Sequence, residues 1–149
     1  MRSRLRASRD DEGSALIEFV ALALLVLVPL IYIVMAVARV QSAAYAVTTA
    51  VREAGRVYAT SGSDAQGRQR AIAAARIALA DHGLELPANG LHLHCAGGTC
   101  LAPGSRVEVS LSLSVPLPFL PQNLSAETDL AIPVSADHVE VIDTYRDPQ

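Results

Sequence analysis

The chain has 149 residues, which allows one small domain or one domain with an appendage. Apolar residue types make up 51% of it and charged types only 18%, a composition that excludes an intrinsically disordered protein. Aromatic residues make up only 4% of the chain, so few side chains are available to stack on nucleic-acid bases. The chain has 12 basic and 15 acidic residues, so its charge does not favour a nucleic-acid-binding surface either.

The apolar residues are concentrated in one segment near the N-terminus. Residues 15–38 contain a single charged side chain, Glu18, and residues 19–38 contain none. As a helix, those 20 uncharged residues would span about 30 Å, the thickness of the hydrocarbon core of a bilayer. The sequence therefore predicts a charged leader at residues 1–13 and a transmembrane helix segment at residues 14–38.

The charges that flank this segment predict its orientation. Four arginines precede it, namely Arg2, Arg4, Arg6 and Arg9, whereas the first charge after it is Arg39. The positive-inside rule then places the N-terminus in the cytoplasm and the C-terminal residues outside, in a single-pass protein of the cell membrane. The alternative is a secretory signal peptide cleaved at 36–38 or 44–46, but its apolar region would be about 7–15 residues long.

Beyond the membrane segment the pattern predicts two helices and a sheet. The first helix runs over 14–58 with Pro29 inside it, so that residues 39–60 are its extracytoplasmic continuation. The positions predicted to form its apolar stripe recur at spacings of three and four: Val40, Ala43, Ala44, Val47, Ala50, Val51, Ala54 and Val57. A second helix is expected over 65–82, with Ile72, Ala75, Ala78 and Leu79 on one side and Gly83 just past its end.

The periodicity then changes to two, which indicates strands. Alternating segments occur at 91–95 and 107–115, a third includes 130–134, and a fourth is suggested by Val139 and Val141. Pro133 favours an edge position for the third strand. The expected fold class is α+β: a long N-terminal transmembrane and spine helix, and a second helix packed on a small antiparallel sheet in a head at residues 61–149.

The two cysteines, Cys95 and Cys100, are separated by four residues that include two glycines, as at the tip of a β-hairpin. An extracytoplasmic location permits a disulfide between them. A metal site with His92 and His94 is the alternative, but alternate residues of a strand point to opposite faces, so these ligands would not converge. We predict a disulfide and no metal.

The boundary between leader and apolar helix carries the most specific motif. It reads DEGSALIEF over residues 11–19, with Gly13 before the apolar helix and Glu18 five residues after it. This segment resembles the processing site of type IV pilins and, more closely, the start of the TadE-like pseudopilins of Flp (tight-adherence) pilus systems. The resemblance covers the first 60 residues.

The resemblance implies cleavage by a prepilin peptidase after Gly13, which leaves Ser14 as the new N-terminus. Glu18 and Phe19 then become the fifth and sixth mature residues, and Glu18 would set the register of assembly by pairing with the amine of a neighbour's Ser14. The alternative is that Glu18 simply lies among lipid headgroups and that Gly13 is an ordinary boundary residue.

The sequence allows three classes of function. The first is a minor pilin or pseudopilin, a structural or assembly component of a Flp-type (Tad) pilus or secretion system. Its partners would be the prepilin peptidase, other pilins and pseudopilins, and the membrane. The second is a single-pass, membrane-anchored binding module that is neither cleaved nor polymerised. The third, a secreted enzyme, is not favoured, because no nucleophile with a base, paired carboxylates or phosphate loop is recognisable. No catalytic residue, cofactor, small-molecule substrate or nucleic-acid partner is expected.

Overall fold

The computed structural model describes residues 8–96, 99–118 and 131–145. Its elements are α1 (Ser8–Ala59), α2 (Asp64–Ala80), β1 (Leu91–Ala96), β2 (Arg106–Pro116) and β3 (Ala131–Val141). The three strands form one antiparallel sheet in the order β1–β2–β3. The predicted α+β class, with a long N-terminal helix, a second helix and a small antiparallel sheet, is confirmed. The described residues divide into two compact units, one ending at Val37 and the other beginning at Ala38.

In the first unit, the apolar side chains of α1 are exposed on every side of the helix. None of its most apolar stretch is buried within the chain. A helix that is apolar all round is typical of a large core or a membrane span, and the described residues supply no core around this one. By length and composition α1 can therefore cross a membrane once. Pro29 lies inside the helix, which continues on both sides of it.

The start of α1 differs from the prediction. The helix begins at Ser8, not near Ser14, so that the segment predicted as leader is partly helical. Acidic residue types in the first turns favour a helix because they complement its dipole, and residues 10–12 are all acidic. Gly13 falls inside the helix, where glycine is tolerated at a cost of about 1 kcal/mol relative to alanine.

In the second unit, α1 buries one stripe of mostly small side chains. The buried hydrophobic positions are Ala43, Ala46, Val47, Ala50, Val51, Ala54 and Tyr58. They recur every three or four residues, as the sequence predicts. Two residues of the predicted stripe are not buried, since Ala44 is exposed and Val57 is only half-buried. Ala46 and Tyr58, which the predicted stripe leaves out, are fully buried.

Both ends of α2 are closed by local hydrogen bonds. Ser63 is the N-cap, and its Oγ accepts from the Gln66 N–H at 3.4 Å. At the other end the Leu84 N–H donates to the Leu79 carbonyl and the Gly83 N–H to the Ala80 carbonyl, the bond pair of a Schellman motif. Gly83 has a φ of +65°, so the predicted glycine closure is confirmed.

The buried face of α2 consists of Gly67, Ala71, Ala75 and Leu79, spaced four residues apart. The prediction placed Ile72 on this face, and that was wrong: Ile72 is 37% exposed. Gly67 at the start of this face lies against the Tyr58 ring of α1. Ile72 is one residue from Ala71, about 100° around the helix, and so lies off this face.

The central strand β2 confirms its predicted alternation. Its inward side chains, Val107, Val109, Leu111, Leu113 and Val115, are all buried. The alternate positions are exposed or half-buried, so the sheet has one apolar face beneath the helices and one polar face.

The third and fourth predicted strands are one continuous strand, β3. It pairs with the whole of β2, from Arg106↔Val141 to Pro116↔Ala131, and Pro133 lies on the sheet edge as predicted. Because the alternation continues without a break, burial of Val134 fixes which later residues point inward. Val139 and Val141 are consequently 50% and 56% exposed, whereas His138 and Glu140 point toward the helices.

The first two strands form a hairpin whose connection runs from residue 97 to 105. The structure brings Cys95 and Cys100 to disulfide distance, with Cα atoms 5.2 Å apart. Cys95 lies opposite Val107 on β1, whereas Cys100 lies in the connection. The pair therefore closes the beginning of the connection and does not span the hairpin tip. The two intervening glycines, at 97 and 98, lie outside the described residues.

Candidate processing and assembly site

The residues of the predicted processing motif all lie on α1. Gly13 and Ser14 are consecutive in the helix, and Glu18 follows Ser14 at a spacing of four, on the same face. Glu18 is exposed, and Phe19 beside it is 68% exposed. Among the described residues no arginine or histidine lies within ion-pair distance of Glu18. Its carboxylate is therefore available to a group outside the described residues.

A shallow apolar groove follows one side of the helix directly after Glu18. Its lining residues are Phe19, Leu22, Ala23, Val26, Leu27 and Leu30. These positions are spaced by three and four, which is the pattern of a face that packs against another helix. The small side chain of Ala23 lies midway along the groove, where a neighbouring helix could approach closely.

A hydrogen-bonded cluster connects α1 to α2 in the second unit. The hydroxyl of Tyr58 donates to Asp64 Oδ1 at 2.5 Å, and Arg68 Nε donates to Asp64 Oδ2 at 2.9 Å. Arg68 Nη1 also donates to the Leu93 carbonyl of β1 at 3.4 Å. The cluster thus connects both helices and the first strand.

The cluster shifts the acidity of its members. The hydrogen bonds from Tyr58 and then Arg68 hold the pKa of Asp64 below its usual value. Burial of the phenol, together with its bond to Asp64, raises the pKa of Tyr58. Sequence reasoning missed this cluster. The four-residue spacing of Asp64 and Arg68 could have suggested their ion pair, but nothing local indicates Tyr58.

A second polar pair lies beneath α1. His138 Nε2 and Glu140 Oε2 are 3.0 Å apart, and both side chains are about one-third exposed or less. Gly55 of α1 packs directly on them, because a Cβ at this position would lie 3.3 Å from the Cβ of Glu140 and 3.4 Å from the His138 ring. Neither Gly55 nor this pair was identified from the sequence, because the inward position of the pair follows from the pairing of β3 with β2.

The structure does not assemble the metal site that was considered as an alternative. His92 and His94 are exposed on the outer face of the sheet, and Cys95 points to the opposite face. No group of three potential metal ligands occurs in the part of the chain that the structure describes.

Two open depressions lie on the second unit. One, of about 690 Å³, is lined by residues 87–90, Ser112, Leu113, Ser114 and Pro133, none of which ionises. The other, of about 190 Å³, is lined by His94, Arg106, Glu108 and Val139 on the outer face of the sheet. Neither pairs a nucleophile with a base, and the expectation that the chain is not an enzyme stays a prediction.

No protein-family model, curated protein or solved structure matches this chain.

Proposed function

We propose that the chain is a TadE-like minor pilin or pseudopilin of a Flp-type pilus, processed by a prepilin peptidase after Gly13. The observation that carries this proposal is the single carboxylate of Glu18 in an otherwise uncharged apolar helix, five residues after a glycine that follows a charged segment. The partners would be the peptidase, other Flp pilins and pseudopilins, and the membrane.

The energetics of Glu18 favour a role in assembly. A charged side chain at the centre of a bilayer costs about 2.5–3.5 kcal/mol on insertion scales, and less near the edge. Such a residue is expected to face a partner and not lipid. Cleavage after Gly13 would create a positively charged amine on Ser14, and the amine of a neighbouring subunit could neutralise Glu18. The apolar groove beside Glu18 gives that neighbour's helix a surface to pack on.

The second unit is consistent with an extracytoplasmic location. The arginines of the leader predict a cytoplasmic N-terminus, and the cysteine pair suits an oxidising compartment. The competing proposal, a membrane-anchored module that keeps its leader, shares this topology. The two proposals differ in whether the bond after Gly13 is cut.

Processing is tested with the full chain expressed in membranes with and without a prepilin peptidase. Co-expression should remove 13 residues and leave Ser14 first, as read by N-terminal sequencing and intact mass. Gly13→Leu should block the cut, because glycine lets the protease approach the backbone closely and a leucine side chain obstructs it. Ala21→Leu adds similar bulk to the exposed helix and should be processed normally. An intact leader on the wild-type chain in the presence of active peptidase would favour the anchored module.

A further inference from the structure

The peptide bond that is cut in the proposed function lies inside a helix. Because α1 begins at Ser8, Gly13 and Ser14 are both helical, and the bond to be cut joins them. In an α-helix the carbonyl of residue 13 accepts from the N–H of residue 17, and the N–H of residue 14 donates to the carbonyl of residue 10. The two backbone groups that a protease must bind are therefore already bonded within α1.

Hydrolysis of this bond requires that both groups leave the helix. Water adds to the carbonyl carbon of Gly13, the C–N bond breaks, and the nitrogen of Ser14 takes a proton and leaves as an amine. Negative charge develops on the carbonyl oxygen during this addition, and a protease stabilises it with hydrogen-bond donors of its own. Those donors have to take the place of the N–H of Ile17, so the helix must open before the cut.

The two sides of this bond differ in how easily they unwind. Residues 9–12 all have charged side chains, so water can satisfy their backbone groups once the helix opens. Residues 19–38 have no charge, and inside a bilayer an unpaired backbone group finds no water to bind. Gly13 places a residue type of low helix propensity between the two sides. Unwinding is therefore favoured from the N-terminal end of α1 as far as this glycine.

Ser14 fits the N-cap of the shorter helix that would remain. Serine is among the best N-cap residues, and its Oγ accepts from the N–H two or three residues later. For Ser14 the second of these is the N–H of Ile17, the group released when the carbonyl of Gly13 leaves the helix. The chain forms the same bond at the start of α2, where Ser63 Oγ accepts from the N–H of Gln66. Ser14 is exposed on α1, so core packing does not hold its hydroxyl.

We propose that α1 has two alternative starts, one at Ser8 and one directly after Ser14, and that the peptidase cuts only the chain with the second start. In that form Ser14 caps the helix, residues 8–13 are not helical, and the carbonyl of Gly13 is free. Ser14 is then a positioning residue, because its hydroxyl sets the fraction of chains in which the bond is open. This inference rests on the proposed function for the identity of the protease, but the two starts exist without it.

Cleavage rates test the role of Ser14. When opening is faster than cutting, the initial rate in membranes that hold the full-length chain follows the fraction of open chains. Ser14→Ala should lower this rate about fivefold, because alanine cannot cap the shorter helix. Ser14→Asn provides an N-cap of equal rank, so its rate should stay within about twofold of the wild-type rate.

Two results would overturn the role of Ser14. Equal rates for Ser14→Ala and the wild type would show that the hydroxyl does not favour the open form. A rate for Ser14→Asn as low as that of Ser14→Ala would show that the peptidase recognises serine itself and not the cap.

A second set of variants changes the helix without altering the residues that are cut. Asp10→Ala and Asp10→Gly remove the same charge, but glycine has the lower helix propensity. Asp10→Gly should be cut about threefold faster than Asp10→Ala, because glycine makes the leader easier to unwind. Ala21→Gly makes the same alanine-to-glycine change within the uncharged stretch and should leave the rate unchanged. Equal rates for the two Asp10 variants would contradict the unwinding step.

Hydrogen exchange separates the two starts from processing. In lipid nanodiscs without peptidase, exchange of the amides of residues 12–14 reports opening of their helical bonds. Ser14→Ala should raise their protection about fivefold, and Ser14→Asn should leave it unchanged. If protection changes in this way while the peptidase never cuts after Gly13, the two starts stand and the pilin function falls. If the peptidase cuts the wild type and all variants at equal rates, the pilin function stands and the second start is overturned.

Discussion

The side chain of Tyr58 joins apolar packing and polar bonding at one position. Its ring is fully buried in the core of the second unit, yet its hydroxyl reaches Asp64 at the start of α2. A buried phenol without a partner would be costly, so the position of Asp64 matters for the turn between the helices. Arg68 then neutralises the carboxylate and extends the connection to β1.

The contribution of the Tyr58–Asp64–Arg68 cluster to the stability of the folded state should fall at both acid and alkaline pH. The pKa of Asp64 is lowered in the folded state, so its contribution is present above the unfolded value of about 3.9 and is lost as pH falls through the folded value. The pKa of Tyr58 is raised, so its contribution is present below about pH 10 and is lost as pH rises through the folded value.

Tyr58→Phe should lower the free energy of unfolding by about 1 kcal/mol at pH 7, because one hydrogen bond to a partly exposed carboxylate is lost. It should also weaken the loss of stability at acid pH and remove the alkaline loss that arises from Tyr58. The measurement is thermal unfolding of the detergent-solubilised chain from pH 3 to 11. Tyr45→Phe alters an exposed phenol and should reproduce the wild-type curve. An unchanged pH profile in Tyr58→Phe would show that the hydrogen bond between Tyr58 and Asp64 contributes nothing to the pH dependence of the stability.

At the scale of elements, the sequence predicted those features that repeat locally. The period-two pattern of β2 and the three-four pattern of α1 each follow from burial on one face, so both could be predicted from the sequence. The inward position of His138 and Glu140 could not be predicted in this way, because it follows from continuous pairing with β2 and not from residue type. The face of α2 was misjudged for a related reason: one of its four buried positions is Gly67 beside Tyr58, a residue with no apolar side chain to mark it.

Gly67 of α2 lies in close contact with the ring of Tyr58 on α1. A Cβ at this position would lie 2.8 Å from Cδ2 and 3.0 Å from Cε2 of the Tyr58 ring. The ring is buried and held by its hydrogen bond, so it has little room to move.

Gly67→Ala should therefore destabilise the second unit by about 1–3 kcal/mol, the usual cost of overpacking, although alanine favours a helix by about 1 kcal/mol. Chemical denaturation followed by circular dichroism would measure it. Gln69→Ala, at an exposed position of the same helix, should change stability by less than about 0.5 kcal/mol. A Gly67→Ala variant as stable as the wild type would mean that α2 can move away from Tyr58 freely.

For the whole molecule, the two units differ in how much of their apolar surface they bury. The second unit has its own core, in which α1, α2 and the sheet bury one another. The first unit buries none of its most apolar stretch within the described residues, and by length and composition its helix can cross a membrane. The sequence predicted this difference from composition alone. It could not predict which groups would meet Glu18, because such partners would belong to other chains.

The last prediction concerns Glu18 and separates insertion from assembly. Glu18→Gln keeps the size and hydrogen bonding of the side chain while removing its charge. Insertion should remain intact or improve, since removing a charge lowers the cost of entering the membrane. Cleavage after Gly13 should survive, because Glu18 lies beyond the scissile bond. In the proposed assembly, recovery in sheared filaments should fall at least tenfold, because the ion pair with a neighbour's Ser14 amine is lost.

The measurement compares the subunit in sheared filaments with the subunit that remains in membranes. Glu53→Gln removes a carboxylate from the exposed pair with Arg56 and should assemble normally. Glu18→Ala should fail as Glu18→Gln does, because both lack the charge. If both Glu18 variants reach filaments at wild-type levels, the carboxylate is only a headgroup-level residue. Cleavage after Gly13 would then be the only remaining support for the pilin proposal. The axial register of the subunits in the filament would have to come from contacts between their second units.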